Sequence, residues 1–375
     1  MSPAVAQRAE PTNTAVAALV TQAEQALANG DTAAASAGFE RAAAMQHDGG
    51  IELGLVRAAL QAGDFRQALA FCAHTAGAHA DEPAAGALYA WLLRAAGQPG
   101  EALRVLAQTR ARAPQDAVVE ATRQAFENEV PIASGVLLAA PHRMAPQALM
   151  QGGQPTMPDG ARTVAAGVLV AAGQRALVPA AAIEGARRIW VRNGLGRATE
   201  AVADSSTPHG LREHGVALLR LLAPLPAGAA APAPRDPFAG SPGFAVGYPP
   251  GRDAAPAWPI LREGFLGAAA GRAGLRKLGI DWPAALHGGP VFDAAGRLAG
   301  ISLQRPPAAG EYAASMLPVS MLRELAPAAS EWGVGLAQGL ALQAAASPAL
   351  SLARIAPDLA YERALTTALQ VIVQR

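Results

Sequence analysis

Few residues in this 375-residue chain could do chemistry. One histidine, His287, stands directly before Gly288-Gly289-Pro290, and another, His214, adjoins Glu213. Two histidines and a carboxylate are plausible zinc ligands, but these three have no ligand-like spacing, so no metal is expected. The single cysteine, Cys72, excludes an internal disulfide or a multi-cysteine metal site and is expected to fill a helix interface. Ser205 and Ser206 lie in "ADSSTPHG", which reads as a turn. Ser302 falls within an apolar run and reads as structural, and Asp293 suits a hairpin turn better than catalysis. The glycine-rich stretch "GFLGAAAGRAG" lacks the Gly-Lys-Ser/Thr of a phosphate-binding loop, and "NGLG" at 193–196 is a hairpin signal. No cofactor is expected.

Composition narrows the classes further. The net charge is +1, and the basic residues are nearly all arginine, with Lys277 the exception, which suggests a GC-rich bacterial genome. No basic run marks a nucleic-acid surface. Aromatic residues make up 5% of the chain, and alanine supplies much of its 51% hydrophobic content, so each packed layer should be thin. No long, purely apolar stretch predicts a membrane span, and residues 1–13 make a poor secretion signal and read as a flexible N-terminus. A cytoplasmic location is expected.

The elements that must position these residues fall into two kinds. Three phrases, "GDTAAASAGFERAA", "GDFRQALAFCAHTA" and "GQPGEALRVLAQTR", begin at Gly30, Gly63 and Gly97. Five residues later stand Ala35, Ala68 and Ala102, and nine later Phe39, Cys72 and Leu106. A period of about 34 residues, with glycine at the turn and small residues where helices touch, resembles the tetratricopeptide repeat over residues 14–127. Such repeats imply a concave surface for a protein or peptide partner. Tyr89 and Trp91, the rare large side chains there, are the partner-binding candidates. Two positions apart, they cannot share one helix face, so one is expected in the core and the other at the groove.

Beyond Asn128 the pattern becomes short apolar runs separated by Gly, Pro and Asp. "ASGVLLAA", "TVAAGVLVAAG", "RALVP", "RRIWVRN", "GVALLRLL", "GFAVGYPP", "GFLGAA" and "LAGISLQ" each read as a strand. A Pro/Ala-rich linker, 223–237, divides them into two β-units. "AAGVLVAAGQRALVPAAAIEGARRIWVRNGLGR", "GVALLRL", "LHGGPVFDAAGRLAGISL" and "LPVSMLRELAP" together resemble the double barrel of trypsin-like serine proteases, the HtrA/Deg branch in particular. The expected fold is therefore α+β multidomain: an all-α, TPR-like helical-repeat domain, then an all-β trypsin-like double β-barrel over residues 128–328.

The resemblance also locates the triad. Its histidine would fall at Ala181, a few residues before Glu184-Gly185-Ala186, its aspartate at Gly215, and its serine at His287, with Ala285 where a companion glycine belongs. Acyl transfer needs an activated nucleophile, a base and a group that orients the base. A methyl group, a hydrogen and an imidazole supply none of these roles in those places, so a pseudoprotease acting as a binding scaffold or adaptor is expected. Two other readings are a structural subunit of a bacterial secretion or envelope assembly and a serine hydrolase with a relocated site.

The segment 329–375 is expected as a C-terminal extension. Its end, "DLAYERALTTALQVIVQR", is similar to the helix and strand that open HtrA-type protease domains. Out of place here, it could complete the first barrel in cis, pair with another subunit to give an oligomer, or form plain surface structure.

Overall fold

The computed structural model describes residues 9–127, 157–226, 230–269, 274–283, 286–304, 314–325 and 354–375. It divides into two compact units, Met1–Gln154 and Pro155–Arg375. The expected strand "ASGVLLAA" lies outside the described residues.

The first unit is a succession of antiparallel helices: α1 (Ala9–Asn29), α2 (Thr32–Met45), α3 (Gly49–Ala62), α4 (Phe65–Ala78), α5 (Pro83–Ala95), α6 (Pro99–Arg112) and α7 (Ala117–Glu127). Gly30, Gly63 and Gly97 take φ values of 90°, 93° and 82°, the left-handed conformation that lets a helix end and the chain reverse at once. Asp48 and Asp116 open α3 and α7, their side chains accepting hydrogen bonds from Ile51 N at 3.1 Å and Val119 N at 3.0 Å. Ala35, Ala68 and Ala102 are wholly buried. Glycine brings the helices closer still: a side chain at Gly38 would lie 2.8 Å from Ala23 Cβ, and one at Gly54 would enter the Phe39 ring.

Cys72 sits in this core, its Sγ 3.5 Å from the Ala85 carbonyl oxygen, and burial pushes its thiol up well above the ordinary range. We expect native protein to resist thiol alkylation and denatured protein to label fully. Rapid labelling of folded chain, read by mass spectrometry, would contradict this packing.

The second unit holds two closed six-stranded barrels. The first contains β1 (Arg162–Val170), β2 (Arg175–Pro179), β3 (Arg188–Asn193), β4 (Ala198–Ala203) and β5 (Val216–Leu221), with the short helices α8 (Ala180–Ile183) and α9 (His209–Glu213) between them. The second contains β6 (Ser241–Gly247), β7 (Ile260–Ala269), β8 (Arg276–Ile280), β9 (Pro290–Asp293), β10 (Leu298–Gln304) and β11 (Ala314–Pro318), followed by α10 (Val319–Leu325). The Pro/Ala-rich linker is not idle: Ala233 N donates to Leu298 O, and Leu298 N to Ala231 O, so it runs beside β10.

The barrels share one turn. Asn193 Oδ1 accepts from Leu195 N and Arg197 N between β3 and β4, and Asp293 Oδ1 accepts from Ala295 N and Arg297 N between β9 and β10. Gly196 and Gly296 close them at φ 79° and 72°. Each turn is set by a side chain that replaces a backbone acceptor and a glycine that tolerates the reversal.

The sixth strand of the first barrel comes from the tail. Helix α11 (Pro357–Thr367) leads into β12 (Ala368–Gln374), which lies between β1 and β3 in the order β1-β12-β3-β4-β5-β2. Of the three placements open to the tail, this is completion of the first barrel in cis. The strand is also unavailable for pairing with another subunit, since both its edges are bonded within the chain, Gly167 opposite Leu369 and Trp190 opposite Ile372. Leu369, Val371 and Val373 enter the barrel core, while Ile372 packs outward on Trp190, Ala161 and Ala254. α11 packs against β1 and β3 of one barrel and β6, β7 and β9 of the other, and Tyr361 Oη donates to Pro259 O at 2.8 Å. Among the described residues, no helix is long and apolar enough to cross a membrane.

Leu369, Val371, Ile372 and Val373 are fully buried, and at about 1.5–3 kcal/mol each they contribute roughly 6–12 kcal/mol. That is as large as the whole stability of a typical domain, about 5–15 kcal/mol. Truncation after Pro357 should therefore leave an aggregating or unfolded barrel unit. A soluble product with an unchanged melting transition would refute the role of β12.

Candidate functional site

Three segments of the barrel unit meet near Ala181, Gly215 and His287, the positions that the sequence resemblance assigned to a triad. Pro179 ends β2, and Ala180 begins α8; Ala180 N donates to Gly215 O at 2.8 Å, joining the α8 segment to the residue just before β5. His287 O accepts from Ala166 N of β1 at 3.1 Å. A side chain added at Gly288 would strike both the Ala166 carbonyl and, at 2.6 Å, the Pro179 ring. The backbone thus brings the neighbourhoods of Ala181, Gly215 and His287 to one locale.

The loop around His287 owes its form to two glycines. Gly288 has φ 91°, and a Cβ at Gly289 would overlap the Val246 carbonyl oxygen, so neither position accepts a side chain without moving the backbone. Ser302, wholly buried on β10, holds the same loop: its Oγ donates to Gly289 O at 3.1 Å, its N donates to the same oxygen, and its carbonyl accepts from Gly288 N. It is a structural serine.

The positions of the other two are open. Ala181 and Gly215 are exposed, and nothing lies within 4 Å of where a Cβ at Gly215 would stand, although its φ of 72° strains any side chain there. His287 is half-buried, and Ala285 lies outside the described residues.

The remaining candidates are not brought together. Glu213 pairs along α9 with His209 at 3.4 Å. Glu213, His214 and His287 form no shared ion-binding cluster among the described residues. Ser206 Oγ donates to Asp204 Oδ1 at 2.6 Å in an exposed turn, and this hydroxyl is the main influence holding the Asp204 carboxyl below its usual range. Asp293 is bound to its turn, where Arg297 Nε donates to Oδ2 at 2.8 Å. In the helical unit Trp91 is 1% exposed and belongs to the core. Of the two partner-binding candidates it is therefore the core residue and not a surface contact. Tyr89, on the same helix, is half-buried and keeps a surface.

Comparison with known proteins covers both units. The family model described as a trypsin-like peptidase domain matches residues 165–301, and the tetratricopeptide repeat model matches residues 26–92 and 59–125. No curated protein matches the sequence. Among solved structures, the MamO protease domain from Magnetospirillum magneticum is 18% identical, covering 45% of this chain and 96% of that one, with a TM-score of 0.35. A serine endoprotease from Yersinia pestis is 21% identical over 44% of this chain and 57% of that one, with a TM-score of 0.37. The HtrA-type protease AlgW, solved with a decapeptide, is 22% identical over 45% of this chain and 52% of that one, with a TM-score of 0.37. The chain spans little more than half the length of the last two. Family models thus find tetratricopeptide repeats on its N-terminal side and a trypsin-like peptidase domain over residues 165–301.

Proposed function

We propose that this protein is a catalytically inactive homologue of trypsin-like proteases that serves as a protein-binding adaptor. The observation that carries the reading is the chemistry at one locale. The fold gathers the Ala181, Gly215 and His287 segments, and those positions offer a methyl group, a hydrogen and an imidazole. A peptidase of this class needs a hydroxyl whose proton passes to an oriented base, and loss of one triad member already costs several powers of ten in rate. Ser302 and Ser206 do not substitute, the first buried on a carbonyl and the second tied to Asp204. The tetratricopeptide repeats support a protein or peptide partner, with half-buried Tyr89 as the contact residue.

A serine-directed fluorophosphonate should leave the purified chain unlabelled. His287→Ser alone should stay unlabelled too, because no base stands at Ala181. Stoichiometric labelling of the native chain would overturn the inactive reading. For the adaptor role, Tyr89→Ala should reduce recovery of partners from lysate several-fold with the helical content unchanged by circular dichroism. Identical recovery would count against Tyr89 as the contact.

A further inference from the structure

The helical unit holds a cluster that neither the repeats nor the barrels require. His47 lies in the turn between α2 and α3, Glu52 in the first turn of α3, and His79 caps the end of α4. Glu52 Oε1 is 3.0 Å from His47 Nδ1 and 3.4 Å from His79 Nε2, and the three donor atoms all lie within 4.8 Å of one another. The two imidazole centroids are 4.4 Å apart. Among the described residues this is the only such group of three.

We propose that His47 Nδ1, Glu52 Oε1 and His79 Nε2 form a binding site for a divalent transition-metal ion, zinc being the best fit. Zinc bound at about 2.0–2.1 Å sets tetrahedral ligands roughly 3.3–3.4 Å apart, close to the two distances found. Two nitrogens and one carboxylate oxygen suit zinc, whereas calcium and magnesium call for six or more oxygens. The site is also oriented from behind. Thr75, itself buried, has its Oγ1 2.9 Å from both Glu52 Oε2 and the Phe71 carbonyl oxygen, so its one proton is shared between them and holds Oε2 away from the rings, leaving Oε1 directed at both. His79 is fixed at both ends of its peptide, its N donating to Thr75 O and its carbonyl accepting from Glu82 N. Its Nε2 is buried and makes no hydrogen bond beyond the 3.4 Å approach to Glu52 Oε1, a contact an ion would bridge. His47, 65% exposed, leaves a solvent side through which an ion enters and a water completes the fourth position. An ion there pins two successive inter-repeat turns, a role separate from the adaptor reading.

The test uses the full chain, free of any histidine tag and stripped with a chelator. Zinc titrated calorimetrically should bind at one ion per chain and raise the melting temperature. His47→Ala and Glu52→Gln should each weaken binding roughly 100-fold or more, and Thr75→Val about 10- to 100-fold. Cobalt(II) should give the visible absorption of a four-coordinate ion in the parent and lose it in His47→Ala, a surface change that spares the fold if Glu52→Gln does not. No binding, binding indifferent to His47→Ala, or a six-coordinate cobalt spectrum would each overturn the site.

Discussion

The barrel unit depends on a single insertion: β12 between β1 and β3. Without it the first barrel has two open edges and loses four fully buried aliphatic side chains. The same segment reaches the second barrel, where Ile355 N donates to Ala294 O, Arg363 to Ala295 O, and Tyr361 to Pro259 O. Gln370 extends this polar link: its Nε2 donates to Thr163 Oγ1 and Ala255 O, beside Arg192, which donates to Ala254 O at 2.7 Å. Burial lowers the pKa of the Arg192 guanidinium to about 10, and its Nη1 donates to the Ala254 carbonyl and to Gln370 Oε1. The loops bearing Ala181 and Gly215 hang from strands β2 and β5 of this closed sheet.

A protease-like loop and protease chemistry answer to different constraints. Gly288 and Gly289 are fixed by geometry, one by its positive φ and the other by the carbonyl it nearly touches. Exposed Ala181 and Gly215 meet no such demand. The packing of the barrel asks nothing of the side chains there; only a reaction would. The Gly-Gly-Pro bend is therefore a matter of packing.

Much of this was legible in the sequence. Glycine spacing gave the repeat turns, and the positions five and nine residues on proved to be core. Most strands were readable as apolar runs, but β4, "ATEAVA", β8, "RKLGI", β9, "PVFD", and β11, "ASMLP", were not among those runs, being short or partly polar. The helix and strand of the tail were visible; where they pair was not, because long-range register leaves no local trace. Trp91 and Tyr89 could not be sorted without the helix packing. The cluster of His47, Glu52 and His79 escaped because its ligands come from two turns and a helix. Its one signal was a carboxylate at a buried position near the start of an apolar helix.

Because the whole second barrel lies between β1 and β12 along the chain, the ribosome delivers the closing strand after everything that the first barrel does not need. During synthesis the facing edges of β1 and β3 wait for their partner, and the second barrel can assemble beside an unfinished neighbour. Of the two barrels, the one begun first is thus the one completed last.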